Sequence, residues 1–204
     1  GRGCPDCSHS GNLCGPSLQE LAEGPILEAT GGSASLFHGL GREDTDARML
    51  GRGRPFVLEV HHPIPRQPDL AALSSAIAAG CAGLAEFGPL AIVEREAMQA
   101  VKSSTAEKSY RARIETGGPP PADAAERAAR LTGATVRQRS PSRVAERRGP
   151  NTVRMKRVAE SRWLGAFEGG YLWECRVESG GYVKELVSGD GGRTSPSLAE
   201  LLGV

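Results

Sequence analysis

Apolar positions along this chain recur with two different periods. From residue 70 onward, Leu70, Leu73, Ile77, Cys81 and Leu84 follow one another at spacings of three and four. That spacing lays one apolar stripe along a helix, and Asp69 in front of it is the expected N-cap, with Gly80 as a weak point. Tyr110, Ala112 and Ile114 instead alternate with Arg111, Arg113 and Glu115. A period of two marks a half-buried strand. The same alternation sets Tyr171, Trp173, Cys175 and Val177 against Leu172, Glu174, Arg176 and Glu178. Phe56 to Val60 reads as a further strand, and Leu90 to Val93 as a short buried one. A short helix is predicted over Ser17 to Ala22, between Pro16 and Gly24 as start and stop signals. A second spans Ala122 to Leu131, closed by Gly133. Ala134 to Arg139 and Thr152 to Val158 read as two basic strands around a loop from Ser140 to Pro150. Gly180-Gly181 turns the chain into Tyr182 to Leu186, the opening of a helix, and Ser197 to Leu202 is a last helical turn. Strands interleaved with two or three helices give an α+β class.

Charge changes this picture only locally. The chain has 204 residues, 25 Lys and Arg against 24 Asp and Glu, so its net charge is +1. Residues 137 to 157 nevertheless hold Arg137, Arg139, Arg143, Arg147, Arg148, Arg154, Lys156 and Arg157 against Glu146 alone. Such a belt suits contact with phosphates; it is also compatible with a solvated strand face whose long side chains cover apolar neighbours. No run is long and apolar enough to span a bilayer, and the polar, glycine-rich N-terminus carries no signal peptide. A soluble, cytoplasmic, monomeric protein is expected. Aromatics are few, which leaves Tyr110, Tyr171, Trp173 and Tyr182 as the base-stacking candidates of the second half.

Three of the five cysteines, Cys4, Cys7 and Cys14, crowd the N-terminus. Cys4 and Cys7 have two residues between them, the spacing of one half of a four-thiolate zinc site. The second half is absent from the chain. Either this is half of a zinc knuckle belonging to a longer protein, or no zinc is held here; Cys14 and His9 would complete an internal site only in a tight loop. Cys81 and Cys175 read as small core residues.

The densest chemistry lies in GREDTDARMLGRGRPFVLEV, residues 41 to 60. Glu43, Asp44 and Asp46 sit among Arg42, Arg48, Arg52 and Arg54. Carboxylates among guanidinium groups stay ionised, and an ionised carboxylate on a turn can act as a nucleophile toward a polyanionic substrate. By spacing alone, the stretch reads rather as a solvated surface loop of alternating charge.

The run from Gly41 to Phe56 resembles the GRED-x-D-x-R-M-L-G-x-G-RPF active-site loop of the archaeal and eukaryotic tRNA pseudouridine(54/55) synthases. SGGYVKELVSGDGGRTSPSL, residues 179 to 198, resembles a second block of that family, and KSYRARIE, residues 108 to 115, resembles its K-x-Y-x-A motif. The blocks stand in the family's order and span most of residues 34 to 204. The resemblance implies a pseudouridine-synthase fold, a mostly antiparallel mixed sheet flanked by helices, that isomerises uridine 54 and/or 55 in the TΨC arm of tRNA. It implies residues 1–33 as a linker from an N-terminal accessory domain and 34–204 as a catalytic domain lacking a C-terminal strand. No cofactor is implied for catalysis, and structural zinc would belong to the full-length protein.

The resemblance also assigns roles. Related synthases carry a GRTD loop whose Asp is catalytic, which points to Asp44, with Asp46 as the alternative. Lys184 takes the place of the cation that pairs with that Asp. Tyr110 is the tyrosine that packs on the uracil and can act as the base, and Leu186 is the apolar wall. Arg42, Arg147 and Arg148 are expected to bind the substrate RNA. Taken singly, Tyr110 and Leu186 read rather as core residues and Lys184 as a surface lysine; their joint appearance with the GRED block reverses that. Two departures stand out: Gly181 replaces a Thr in the turn before Lys184, and Ser140 and Glu146 replace a Thr and a His around the basic loop. The first bears on rate and the second on the grip on RNA. The competing readings are an RNA-binding module without catalysis and a pseudouridine synthase for another RNA.

Overall fold

The computed structural model of the chain describes residues 15–41, 46–81, 83–144 and 152–204. The chain divides into two compact units, residues 1–104 and 105–204.

In the first unit, helix α1 spans Leu18–Thr30 and opens with a reciprocal cap. Glu20 N donates to Ser17 Oγ at 3.3 Å, and Ser17 N to Glu20 Oε2 at 2.6 Å. The predicted stop at Gly24 does not hold, and the helix runs through Pro25 to Gly31. Pro25 has no N–H to offer the Leu21 carbonyl. Burial outweighs that loss, because Ala22 and Ile26 close a core with Leu73, Ile77 and Cys81 of helix α2, Leu70–Cys81. Asp69 caps α2 as expected: its Oδ1 accepts from the N–H groups of Ala71 and Ala72 at 2.9 and 3.0 Å.

Strands β1, Ala34–Gly39, and β2, Phe56–His61, form an antiparallel pair in register from Ala34 opposite His61 to Gly39 opposite Phe56. Leu58 and Val60 pack against the helical core. Phe37 stacks on Phe56 with centroids 5.2 Å apart, and Phe87 meets Phe56 edge-on. Within the same pair of strands, His38 Nε2 lies 2.8 Å from Glu59 Oε2 and holds that carboxyl below its usual range. Helix α3, Arg95–Ser103, rests on both strands. The expected buried strand at Leu90–Val93 is not one: this segment is irregular, with Ile92 and Val93 58% and 50% exposed. No strand pairs with it, and a short apolar run without a period does not by itself specify a strand.

The second unit is a five-stranded sheet of order β3-β6-β5-β4-β7, antiparallel throughout. Its strands are β3 Lys108–Ile114, β4 Thr135–Arg139, β5 Val153–Phe167, β6 Gly170–Val177 and β7 Thr194–Ser195. Helices α4 Ala124–Ala129, α5 Val183–Ser188 and α6 Leu198–Leu202 contribute Ala124, Ala128, Leu186, Leu198 and Leu202 to one core with Ile114, Val136, Val158, Trp173, Cys175 and Val177. Trp173 is fully buried; its Nε1 donates to Ser161 Oγ at 2.9 Å, and that hydroxyl donates to the Ala128 carbonyl at 2.7 Å. The indole therefore enters the core with its donor satisfied. On the opposite face Arg111 and Arg162 bracket Glu174, and Arg176 bridges Glu107 and Glu160. The two guanidinium groups keep the Glu174 carboxyl below the ordinary carboxylate range. The class is α+β, as expected from the interleaved pattern.

Candidate active site and RNA-contacting face

The GRED stretch lies in the connection from β1 to β2. Its base is closed from both sides: Leu40 N donates to the Pro55 carbonyl at 3.2 Å, and an Arg54 guanidinium N–H donates to the Leu40 carbonyl at 3.2 Å. The Phe37–Phe56 stack stiffens the strand ends below it. Gly41, Gly51 and Gly53 take φ of +87°, +69° and +70°, the left-handed region that favours glycine. Arg42 and Asp44, with Glu43 and Thr45, lie outside the described residues. Asp46, Arg48, Met49, Leu50 and Arg52 are exposed.

In the second unit, Tyr110 sits on β3 opposite Cys175 and packs, half-buried, against the cluster that contains Leu186. Leu186 is 3% exposed. Two of the sequence-predicted residues thus belong to or pack on the same core. Lys184 stands in the first turn of α5 on its exposed side, between Val183, which packs on that core, and Glu185, which is buried. A small pocket beside them is lined by Val136, Gln138, Lys156, Val158, Val177, Gly181, Tyr182, Val183 and Leu186. A Cβ at Gly181 would stand 3.3 Å from the Glu178 carbonyl and 3.4 Å from a Val177 methyl, so a Thr there would crowd this turn.

A set of long-range contacts that the sequence did not reveal ties this site to the basic loop. Gln138 is buried on β4; its Nε2 donates to the Tyr182 carbonyl and its Oε1 accepts from Tyr182 N, both at 2.9 Å. Arg143 Nε donates to the buried Glu185 Oε1 at 2.7 Å. Asp190 Oδ2 accepts from Ser142 N at 2.9 Å, and an Arg193 guanidinium N–H donates to the Ser140 carbonyl at 2.6 Å. Residues 138–143 are therefore held at four points by the segment 182–193. Arg147 and Arg148, farther along that loop, lie outside the described residues.

The Arg143–Glu185 pair supports a stability prediction. The Glu185 side chain is 6% exposed and the Arg143 side chain 40%. Removing the guanidinium leaves a buried carboxylate, which costs about 2 kcal/mol at this partial exposure. Arg143→Ala is expected to lower the melting temperature by roughly 5–10 °C, and adding Glu185→Leu to recover part of it. Paired thermal melts check this; an unshifted midpoint in Arg143→Ala counts against the clamp.

Cys4 and Cys7, with His9 and Cys14, lie outside the described residues. Cys81 and Cys175 are buried, and burial pushes the Cys175 thiol up to about 12, which keeps it unreactive at neutral pH. Among the described residues, no three His, Cys, Asp or Glu side chains group as a metal site, and no helix is long and apolar enough to cross a membrane.

Comparison with known proteins covers nearly the whole chain. A protein named tRNA pseudouridine synthase Pus10 from Methanothrix thermoacetophila is 46% identical over 204 residues, which is 99% of this chain and 44% of that protein. The protein of the same name from Methanothermobacter marburgensis is 43% identical over 206 residues, 100% of this chain and 50% of its own length. That from Archaeoglobus fulgidus is 38% identical over 204 residues, 100% and 56%. The chain spans about half the length of the curated relatives it matches. The family model described as "Pus10, C-terminal" matches residues 5–204, and the chain belongs to that family.

Proposed function

We propose that the protein is a tRNA pseudouridine synthase that isomerises uridine 54 and/or 55 of the TΨC arm, with its catalytic residues in this chain. The observation that carries the tRNA pseudouridine synthase reading is the match of the whole chain to relatives of that name, at 38–46% identity in the three compared; the positions rest on the resemblance of residues 41–56. An acidic stretch in the β1–β2 connection, the core-packed Tyr110 and Leu186, and Lys184 are the parts such a reaction needs.

In the reaction the bond from uracil N1 to the ribose anomeric carbon breaks. The base turns over, and C5 bonds to that carbon. C5 loses its proton and N1 gains one. No electrons leave and no group passes to a second molecule, so the chemistry calls for no cofactor. Asp44 attacks or stabilises the anomeric carbon. Lys184 keeps that carboxylate ionised and aimed. Tyr110 packs on the uracil and its hydroxyl takes the C5 proton, while Leu186 backs the apolar wall that shields the detached base. The uridine must leave its stack to reach them, at a cost of roughly a few kcal/mol. Arg42, Arg147 and Arg148 supply phosphate contacts. The enzyme acts as a cytoplasmic monomer, and any zinc held by Cys4 and Cys7 takes no part in the chemistry.

Mapping by carbodiimide adduction and primer extension tests the position. After incubation of the whole protein with an unmodified tRNA transcript, new stops are expected at position 54, 55 or both. Stops confined to other positions, or to an RNA other than tRNA, would overturn the assignment of substrate.

A further inference from the structure

Many cations of the second unit are answered by carboxylates. Arg111 and Arg162 meet Glu174, Arg113 meets Glu115, Arg143 meets Glu185, and Arg176 meets Glu107 and Glu160. Arg154 and Lys156 differ. They stand two residues apart on β5, so both side chains leave the sheet on one face. That face carries Val158 into the core, and their register partners on β4 are the buried Gln138 and Val136. Both cations are half-buried.

Each ends on a neutral oxygen of the turn between β6 and α5. Lys156 Nζ donates to the Ser179 carbonyl at 2.6 Å. An Arg154 guanidinium N–H donates to Tyr182 Oη at 2.8 Å, with the guanidinium carbon 5.7 Å from the Tyr182 ring centroid. Lys108 Nζ reaches the same turn from β3, donating to Ser179 Oγ at 3.0 Å. Among the described residues, neither Arg154 nor Lys156 has a carboxylate within salt-bridge reach.

Two like charges, partly desolvated and side by side, are an unfavourable arrangement unless an anion joins them. The wall behind them is apolar, formed by Val136, Val158 and Val177. The Lys156 ammonium beside that wall and the Arg154 guanidinium on Tyr182, both donors to the same turn, match the oxygens of a phosphodiester. We propose that Arg154 and Lys156, bridged by the Ser179–Tyr182 turn, form a phosphate-binding notch for one phosphodiester of the RNA. The turn leads directly into Lys184, so the notch holds the backbone next to the nucleotide that enters the site. This rests on the reading of the protein as an RNA-modifying enzyme and adds to it the residues that fix the strand's register.

The test uses the whole protein in an Asp44→Asn background, so that bound RNA stays unmodified. Arg154→Met and Lys156→Met keep the apolar stems and remove the charges. Each is expected to weaken binding of an unmodified tRNA transcript roughly ten-fold. Each should also flatten the log–log salt dependence by about 0.7–0.9. Lys156→Arg should keep the slope. In a series of transcripts with one neutral methylphosphonate linkage each, one linkage should weaken binding to the Asp44→Asn parent and have no further effect on Lys156→Met. Unchanged slopes in both Met variants, or the absence of any such coupled linkage, would overturn the notch. The parallel assay of pseudouridine formation by the protein with Asp44 intact separates the two claims: coupling without pseudouridine in any RNA sinks the enzymatic reading and leaves the notch, and activity without coupling does the reverse.

Discussion

Asp44→Asn is expected to abolish pseudouridine formation, by on the order of 10⁴-fold or more if Asp44 is the nucleophile. The affinity for tRNA should stay within about two-fold, since phosphate contacts dominate binding to nucleic acid. Asn keeps the shape of the side chain and removes the charge that the proposed mechanism needs at the anomeric carbon. Arg42 and Arg48, its neighbours in sequence, are retained, so the electrostatic attraction for RNA is, if anything, increased. Single-turnover assays and filter binding on the whole protein give both numbers. Asp46→Asn is the control. If it abolishes turnover and Asp44→Asn does not, the nucleophile is Asp46.

Lys184→Met carries the second large effect. Lys184 lies on the exposed side of α5, a helix fixed by the Glu185–Arg143 pair and by Gln138 at Tyr182. Its backbone should therefore stay in place when the ammonium is removed. On the proposed pairing with Asp44, the cation favours the charged form of that carboxylate, so its removal would disfavour ionisation of the attacking group. The variant should lose roughly 10²–10³-fold in kcat with little change in KM, the pattern of an interaction made in the transition state. The acid limb of its pH–rate profile should move to higher pH, because the carboxylate is then protonated over more of the range. Lys184→Arg should restore most of the rate and the profile. Activity of Lys184→Met within about three-fold of wild type would remove Lys184 from the mechanism.

Much of the second unit was legible because its strands keep a strict period of two. Tyr110 to Ile114 and Tyr171 to Val177 lie where the alternation puts them. β5 was read only as far as Val158, whereas it continues to Phe167. Bulges between Val158 and Glu160, and between Trp163 and Gly165, shift the phase of the pattern, so alternation stops while pairing goes on. β1, ASLFHG, has no β-branched residue and ends on Gly39, so it did not declare itself, whereas the equally long β2, FVLEVH, did. α1 was cut short because Gly24-Pro25 is a local stop signal, and only the contact of Ile26 with the α2 core overrides it.

The site divides along the same line. Tyr110, Lys184 and Leu186 could be singled out as candidates because they lie inside contiguous motifs. The clamps were not. Gln138 finds Tyr182 across 44 residues, Arg143 finds Glu185 across 42, and Ser142 finds Asp190 across 48. No spacing in one sequence marks such pairs, and a buried Glu is indistinguishable in text from the exposed Lys beside it.

The most direct measurement is release of tritium from transcripts labelled at carbon 5 of uridine, since joining C5 to the ribose expels that hydrogen. The account predicts release by the whole protein from tRNA, one equivalent per modified uridine, and none above background with Asp44→Asn. A folded wild-type protein that binds tRNA and releases no tritium, or an Asp44→Asn variant that releases it undiminished, would contradict it.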